Sequence, residues 1–319
     1  MRPNKVTVFG GSGFIGRSVV RRLAQMGCQV IVAVRDPEGA LFLKPYGEIG
    51  QVTPVMCNIR DEKAVRMVMQ GSDAVVNLVG ILHESGKQTF DAIQHKGAET
   101  IARVAKELGI ANFVQMSALG ADKASDSEYA RAKAAGEEAV LSHIPTASIL
   151  RPSIVFGPND DFFNKFASMP VPGFPLIGGG KTKFQPVYVE DVAEAVTKCL
   201  CSNDANGKVF ELGGPTVYSF EELLRLVMHE MGVHKGLVPL PFFLANIIGL
   251  VGEIVGKLPI VPVFLTRDQV RQLRHDNILS GEKPGLEDLG VKAHAAEVIL
   301  PTYMDRYRPG GQFNPMKMA

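Results

Sequence analysis

The stretch Val6-Thr7-Val8-Phe9-Gly10-Gly11-Ser12-Gly13-Phe14-Ile15-Gly16 decides how this chain is read. A short β-branched run ends in glycines, and an amphipathic segment with helical spacing follows from Phe14 to Met26. That is a strand, a tight turn and a helix N-terminus. Such a turn lets backbone N–H groups approach a pyrophosphate, and the helix dipole favours its negative charge. Two spacings fit at once, Gly11-x-Gly13-x-x-Gly16 and Gly10-x-x-Gly13-x-x-Gly16. A glycine pattern alone is a weak signal. This one follows a strand and opens a helix, the context that dinucleotide binding requires. Gly10, Gly13, Phe14, Ile15 and Gly16 are therefore expected cofactor contacts.

The next apolar run, Gln29-Val30-Ile31-Val32-Ala33-Val34, reads as a buried parallel strand. Its end should face the adenosine ribose, where an NAD site usually places Asp or Glu for the 2′-hydroxyl. Here Arg35 comes first and Asp36 second. A guanidinium fork matches a 2′-phosphate, so Arg35 points to NADPH over NADH. The alternative is a solvated Arg35 with Asp36 reading the ribose.

Working outward, strands are expected at 5–10, 29–34, 52–56, 74–79, 112–117 and 147–151, and helices at 14–26, 61–69, 90–109 and 128–142. This alternation predicts an α/β fold: a Rossmann-type doubly wound parallel sheet with a smaller C-terminal α/β lobe. Residues 1–155 form the expected core, with 186–212 returning to it; 156–185 and 213–319 form the lobe. The Pro/Gly-rich stretch 156–186 is expected to leave the sheet without continuing a helix. Ser219-x-x-Glu222 is a capping box that opens a helix to about Met231.

Composition narrows the function. The 319 residues are 46% hydrophobic with net charge +1, which argues against disorder and against a polybasic nucleic-acid surface. Cys28, Cys57, Cys199 and Cys201 lack CxxC or zinc-ligand spacing and read as reduced thiols, with no metal expected. The first strand begins within a few residues of Met1, so no leader peptide is expected ahead of it. Residues 237–265 are dense in Leu, Ile, Val, Phe and Pro but interrupted by Asn246, Gly249, Gly252 and Glu253. A spanning helix needs about 20 apolar residues, so this segment is core, a docking surface or an interfacial membrane contact.

The chemistry lies between these landmarks. Ser117 ends a strand, and Tyr129-Ala130-Arg131-Ala132-Lys133 follows in a helix. Tyr129 and Lys133 are four apart and share a face. A carbonyl reductase needs such a set: Tyr moves the proton, Ser holds the carbonyl oxygen, and an ammonium favours the phenolate, whose free pKa near 10 is too high for base work at neutrality.

Gly10 to Gly16, Asn77-Leu78-Val79-Gly80, Ser117, Tyr129/Lys133 and Arg151-Pro152-Ser153-Ile154-Val155-Phe156-Gly157 together resemble the extended or atypical short-chain dehydrogenase/reductase superfamily over residues 1–215. The resemblance implies that Asn77 and Gly80 line the cofactor, that Lys133 also binds the nicotinamide ribose, and that Pro152 and Ile154 border the nicotinamide. Asn58, with Ile59 beside it, stands where that superfamily often has an acid for adenine. Where it often has Asn-x-x-Gly-Thr, the matching stretch is read as His95-Lys96-Gly97-Ala98-Glu99-Thr100, with His95 in place of Asn. His83 and Glu84 are read as a solvated pair or a substrate contact.

A narrower resemblance rests on Asn77 to Leu82, on Tyr129 to Gly136, and on Leu265-Thr266-Arg267-Asp268-Gln269-Val270 with Asp276-Asn277. These are similar to the branch that includes the NAD(P)H-binding accessory subunit of respiratory complex I and its alphaproteobacterial relatives. That implies tightly held NADPH that is not turned over, other complex I subunits as partners, and a peripheral position near the membrane and the quinone site. The expected location is the cytoplasmic face of a bacterial inner membrane, or the matrix face in a mitochondrion. The alternative is a soluble NADP-dependent oxidoreductase or epimerase acting on a hydrophobic or quinone-related substrate.

Overall fold

The computed structural model describes residues 2–255 and 265–311. They form two compact units. The first comprises the chain up to Pro152 together with Val189–Leu212 and Ser280–Lys292; the second holds the other described residues.

In the first unit, seven parallel strands form one sheet: β1 (Lys5–Phe9), β2 (Gln29–Val34), β3 (Val52–Met56), β4 (Ala74–Asn77), β5 (Asn112–Met116), β6 (Ser148–Pro152) and β7 (Val209–Leu212). Their order is β7-β6-β5-β4-β1-β2-β3, and every pairing is parallel. This is the expected Rossmann-type sheet. It is buried on both faces, which is why β1 carries Val6, Val8 and Phe9 with no exposure. Thr7, equally buried, is tolerated because its hydroxyl donates to Val68 O at 2.9 Å.

The crossovers are α1 (Phe14–Gln25), α2 (Glu62–Met69), α3 (Lys96–Glu107), α4 (Glu128–His143) and α5 (Val189–Cys201). Helix α1 packs on α5, while α3 packs on α2 and α4. The order reverses between β1 and β4, and at such a point the carboxyl ends of the strands open a ligand crevice. The helix expected over 90–109 differs: Asp91–His95 is a π turn, and α3 begins only at Lys96. A Cβ on Gly136 of α4 would lie 2.2 Å from Gln94 O, so the glycine lets α4 press against the widened turn.

Residues 280–292, which the sequence reading leaves in the lobe, join the first unit. Glu211 on β7 accepts from Ser280 N at 2.7 Å and from Ser280 Oγ at 2.8 Å, and Glu211 N donates to Pro284 O at 2.9 Å. Cys57 and Cys199 are buried and free; burial pushes their thiols up to about 11 and about 12.

The second unit is built on an aromatic core of Phe156, Phe163, Phe174, Phe184 and Phe220 with Leu223, Leu224 and Val227. The stretch 156–186 does contain a helix, Phe163–Ser168, against the sequence expectation. Asp160 nucleates it by accepting from Phe162 N at 3.0 Å and Asn164 N at 3.1 Å. Ser219 and Glu222 form the expected capping box of Phe220–Met231. The motif Thr266–Gln269 is a second capping box, and Asn277 accepts from Ser153 Oγ at 2.9 Å (O) and 2.7 Å (Oδ1). These residues of the narrower resemblance therefore hold the unit's own loops.

The apolar stretch resolves only partly into core, through Ala245 and Leu265 with Leu240 and Phe242 packed beside them. Gly236–Leu240 is a strand paired with Gly173–Ile177, and Phe242–Val255 is a helix. Ala245 is fully buried, but Phe243, Ile247 and Val251 are 64%, 55% and 53% exposed, with Leu244, Ile248 and Leu250 also at the surface. Gly249 faces the backbone of Thr266 and Arg267, where a Cβ would meet Arg267 N at 2.8 Å. Residues 256–264 lie outside the described residues. Among the described residues no helix is long and apolar enough to cross a membrane.

Candidate functional site

The turn between β1 and α1 is a cradle. Gly10 has φ +76°, and its N–H reaches Ala33 O at 3.4 Å. Gly13 N donates to Gly10 O at 3.0 Å. A Cβ on Gly16 would sit 2.2 Å from Gly10 O and 2.6 Å from Gly11 Cα. Gly13 caps α1 without a side chain, and no acidic residue occupies the first turn. Phe14, Ile15 and Gly16 thus begin a helix whose leading N–H groups lack side-chain acceptors, the arrangement that suits a pyrophosphate. Sequence reasoning missed Arg17 one residue on. Its Nε is buried without a partner and its guanidinium lies 5.3 Å from the Phe42 ring centre. A cation directly following the last glycine was the available signal.

Arg35 and Asp36 diverge. Asp36 accepts from Gly39 N at 3.0 Å within its own loop, while Arg35 Nη1 donates to Gln88 Oε1 at 2.7 Å. Asn58 is exposed and accepts from Arg60 N at 3.2 Å; Ile59 is buried, 8% exposed. Asn77 turns inward: Nδ2 donates to Gln115 Oε1 at 2.9 Å, and Oδ1 accepts from Val79 N at 3.1 Å. It holds the turn after β4. Pro152 ends β6 and accepts from Leu119 N at 3.0 Å. Ile154 lies in the second unit, accepting from Val187 N at 2.9 Å.

Lys133 is the hub of the Ser117/Tyr129/Lys133 set expected from the sequence. It is 7% exposed, and its Nζ donates to Met116 O at 3.4 Å beside Ser117 and lies 5.8 Å from the Tyr129 ring centre. A Cβ on Gly80 would approach Nζ to 3.2 Å. Burial lowers the Lys133 pKa from 10.5 to about 8, partly countered by Glu137 one turn on. Arg151 fixes Glu137 through bonds of 2.8 and 2.5 Å. Ser117 is 4% exposed and its Oγ has no partner. The Tyr129 ring packs edge-on to Phe90, centres 5.7 Å apart. A buried hydroxyl left without a bond costs roughly 1–3 kcal/mol, so Ser117 is poised for a ligand oxygen. The glycine cradle, the uncapped helix start and this hydroxyl fit a nicotinamide dinucleotide.

The structure corrects the reading of His95. That side chain points outward, with Nδ1 2.8 Å from Asp91 Oδ1. Gln94 faces inward instead, 2% exposed, with neither amide atom bonded, and its Oε1 would lie 3.7 Å from a Cβ on Gly80. The spacing Gln94-x-x-Gly97 carried the signal. Glu84 is a capping residue, accepting from Phe90 N at 2.7 Å.

A switch-point Rossmann sheet, a glycine cradle and a Ser/Tyr/Lys set around a buried ammonium define an extended short-chain dehydrogenase/reductase. The chain belongs to the NAD dependent epimerase/dehydratase family, whose pattern it matches over residues 6–213. It is 39% identical over 314 residues to NADH dehydrogenase (ubiquinone) 1 alpha subcomplex subunit 9, mitochondrial, of Arabidopsis thaliana, covering 96% of this chain and 78% of the relative. It is 28% identical over 313 residues to the ceramide reductase of Caulobacter vibrioides, covering 96% of this chain and 95% of that one. The fold matches the dTDP-glucose 4,6-dehydratase of Streptomyces venezuelae solved with NAD bound, with TM-score 0.71, 19% identity, and 98% and 99% of the two chains covered.

Proposed function

We propose that this chain is an NADPH-holding accessory subunit of a respiratory NADH:ubiquinone oxidoreductase, with the cofactor serving structure. The observation that carries this reading is the 39% identity with the plant complex I subunit across almost the whole chain. Arg35, at the end of β2 with Asp36 turned into its own loop, supports NADPH over NADH. The exposed row Phe243, Ile247 and Val251 supports partners: monomeric surfaces rarely carry large contiguous apolar patches. On this reading the subunit sits on the peripheral arm, near the membrane and the quinone site, on the cytoplasmic face in a bacterium or the matrix face in a mitochondrion. Gly10, Gly13, Phe14, Ile15 and Gly16 hold the pyrophosphate, Asn58 and Ile59 the adenine, and Gly80, Lys133, Tyr129 and Pro152 the nicotinamide end.

The test is native separation of gently solubilised membranes containing a tagged chain, with NADH-dehydrogenase staining. Co-migration with complex I is expected. Recovery only as a free soluble protein sinks this reading.

The orphaned Ser117 hydroxyl favours a second reading, a reductase of a hydrophobic carbonyl compound, as does the likeness to a ceramide reductase. The dinucleotide, when bound, supplies hydride. Tyr129 Oη then delivers the proton to the carbonyl oxygen, Ser117 Oγ donates a hydrogen bond to that oxygen, and Lys133, still charged at neutrality, lowers the phenol pKa. Tyr129→Phe should abolish such turnover with NADPH binding intact; unchanged turnover removes Tyr129 as the acid.

A further inference from the structure

A second construction crosses the carboxyl edge of the first unit. After β4, residues 84–89 leave the sheet and fold back, Ser85 N donating to Gln88 O at 3.1 Å and Gln88 N to Ser85 O at 2.9 Å. Glu84 closes the base through Phe90 N. The tip then reaches sideways. Gln88 Oε1 accepts from Arg35 Nη1 at 2.7 Å, and Lys87 O accepts from Arg60 Nη1 at 3.1 Å. Arg60 Nε also donates to Asn58 Oδ1 at 3.3 Å.

Arg35 follows β2 and Arg60 follows β3, in a sheet whose order here is β4-β1-β2-β3. The hairpin therefore passes over the end of β1, where the glycine turn lies, spanning about 14 Å from three strand spacings. What sets its anchors apart is that two guanidiniums from neighbouring strands hold one short loop. Their hydrogen-bond acceptors are neutral amide oxygens, as are those of Arg131 and Arg306. Such exposed bonds add little to stability, and two cations brought together past the ends of β2 and β3 leave positive charge for an anion to pair with.

We propose that residues 84–89 form a strap that reads the 2′-phosphate of NADPH. Arg35 and Arg60 supply the charge. Gln88 is the positioning residue: its carbonyl oxygen fixes the Arg35 fork, and its Nε2 donates to the phosphate. The proposal rests on the NADPH reading above and names residues for it that the glycine motif and Arg35 alone do not.

The experiment is calorimetric titration of the nucleotide-free full chain with NADPH, NADH, 2′,5′-ADP and 5′-AMP. Lost charge-assisted bonds to a phosphate predict about a tenfold weakening of NADPH and 2′,5′-ADP for Gln88→Ala and for Arg60→Met, with NADH and 5′-AMP unchanged. Gln88→Glu keeps the acceptor for Arg35 but adds repulsion, and should weaken NADPH at least as much. Trypsin cleavage after the exposed Lys87 should be slowed by 2′,5′-ADP and not by 5′-AMP. If wild type fails to prefer NADPH, or Arg35→Ala keeps the preference, the NADPH reading itself falls. If Arg35→Ala loses the preference while the Gln88 and Arg60 variants keep it, or weaken both nucleotides equally, the strap is overturned and that reading stands.

Discussion

A Cβ atom on Gly16 would lie 2.2 Å from the carbonyl oxygen of Gly10. The obstacle is backbone, which cannot rotate aside. Gly16→Ala must therefore spread the turn that presents the helix start. We expect a loss of about 3 kcal/mol in stability and no measurable NADPH binding. Denaturant titration and cofactor fluorescence check the two effects separately; a variant that binds normally would show the close approach to be dispensable.

Lys133 makes stability depend on pH with a definite sign. Its folded pKa, about 8, lies below the ordinary 10.5. The folded chain therefore binds fewer protons between those values, and stability gains there as pH rises. The penalty is full below about pH 8 and disappears near pH 10.5. Lys133→Met should raise the free energy of unfolding at pH 7, by at most about 3 kcal/mol, and much less at pH 10. An equal shift at both pH values would mean the ammonium is not desolvated.

Glu137 depends on Arg151. Their side chains are 7% and 22% exposed, so Arg151→Met leaves a carboxylate without its partner. The expected cost is about 3 kcal/mol, the low end for such a pair because the arginine is partly solvated. Glu137→Gln combined with Arg151→Met should recover part of it. A double variant no better than the single one would place the loss in packing.

Partner binding should separate from folding on the helix Phe242–Val255. Phe243→Asp with Ile247→Asp alters side chains 64% and 55% exposed. We expect the unfolding free energy of the isolated chain to change by less than about 1 kcal/mol, and co-migration with NADH-dehydrogenase activity to be lost. Intact incorporation would remove this face from the interface.

Much of the site was legible in the sequence because it is built from short, local patterns. Val6 to Gly16 specify a strand, a turn and a helix start within eleven residues, and Tyr129 and Lys133 share a face by helical spacing alone. Helical periodicity did not show that Gln94, rather than His95, faces inward; only the spacing Gln94-x-x-Gly97 carried that signal. A continuous helix over 90–109 assigns faces by a uniform rotation, and the π turn at Asp91–His95 breaks that rotation. The cause lies forty residues away, at Gly136, where α4 approaches the Gln94 carbonyl. Asn77 was legible as a site residue by motif, yet its side-chain bonds to Gln115 and Val79 depend on the pairing of β4 with β5.

The sequence by itself determined the Rossmann-type sheet, the glycine cradle and the Ser117/Tyr129/Lys133 set, because hydrophobic periodicity and turn chemistry act over a few residues. Tertiary structure alone decided which side chains were dried, which were left orphaned and which apolar residues stayed in water. Composition gives 237–265 the look of a core, but burial depends on what packs against each face. On the helix Phe242–Val255, the face holding Phe242, Ala245 and Gly249 meets the rest of the unit, while Phe243, Ile247 and Val251 stay in water.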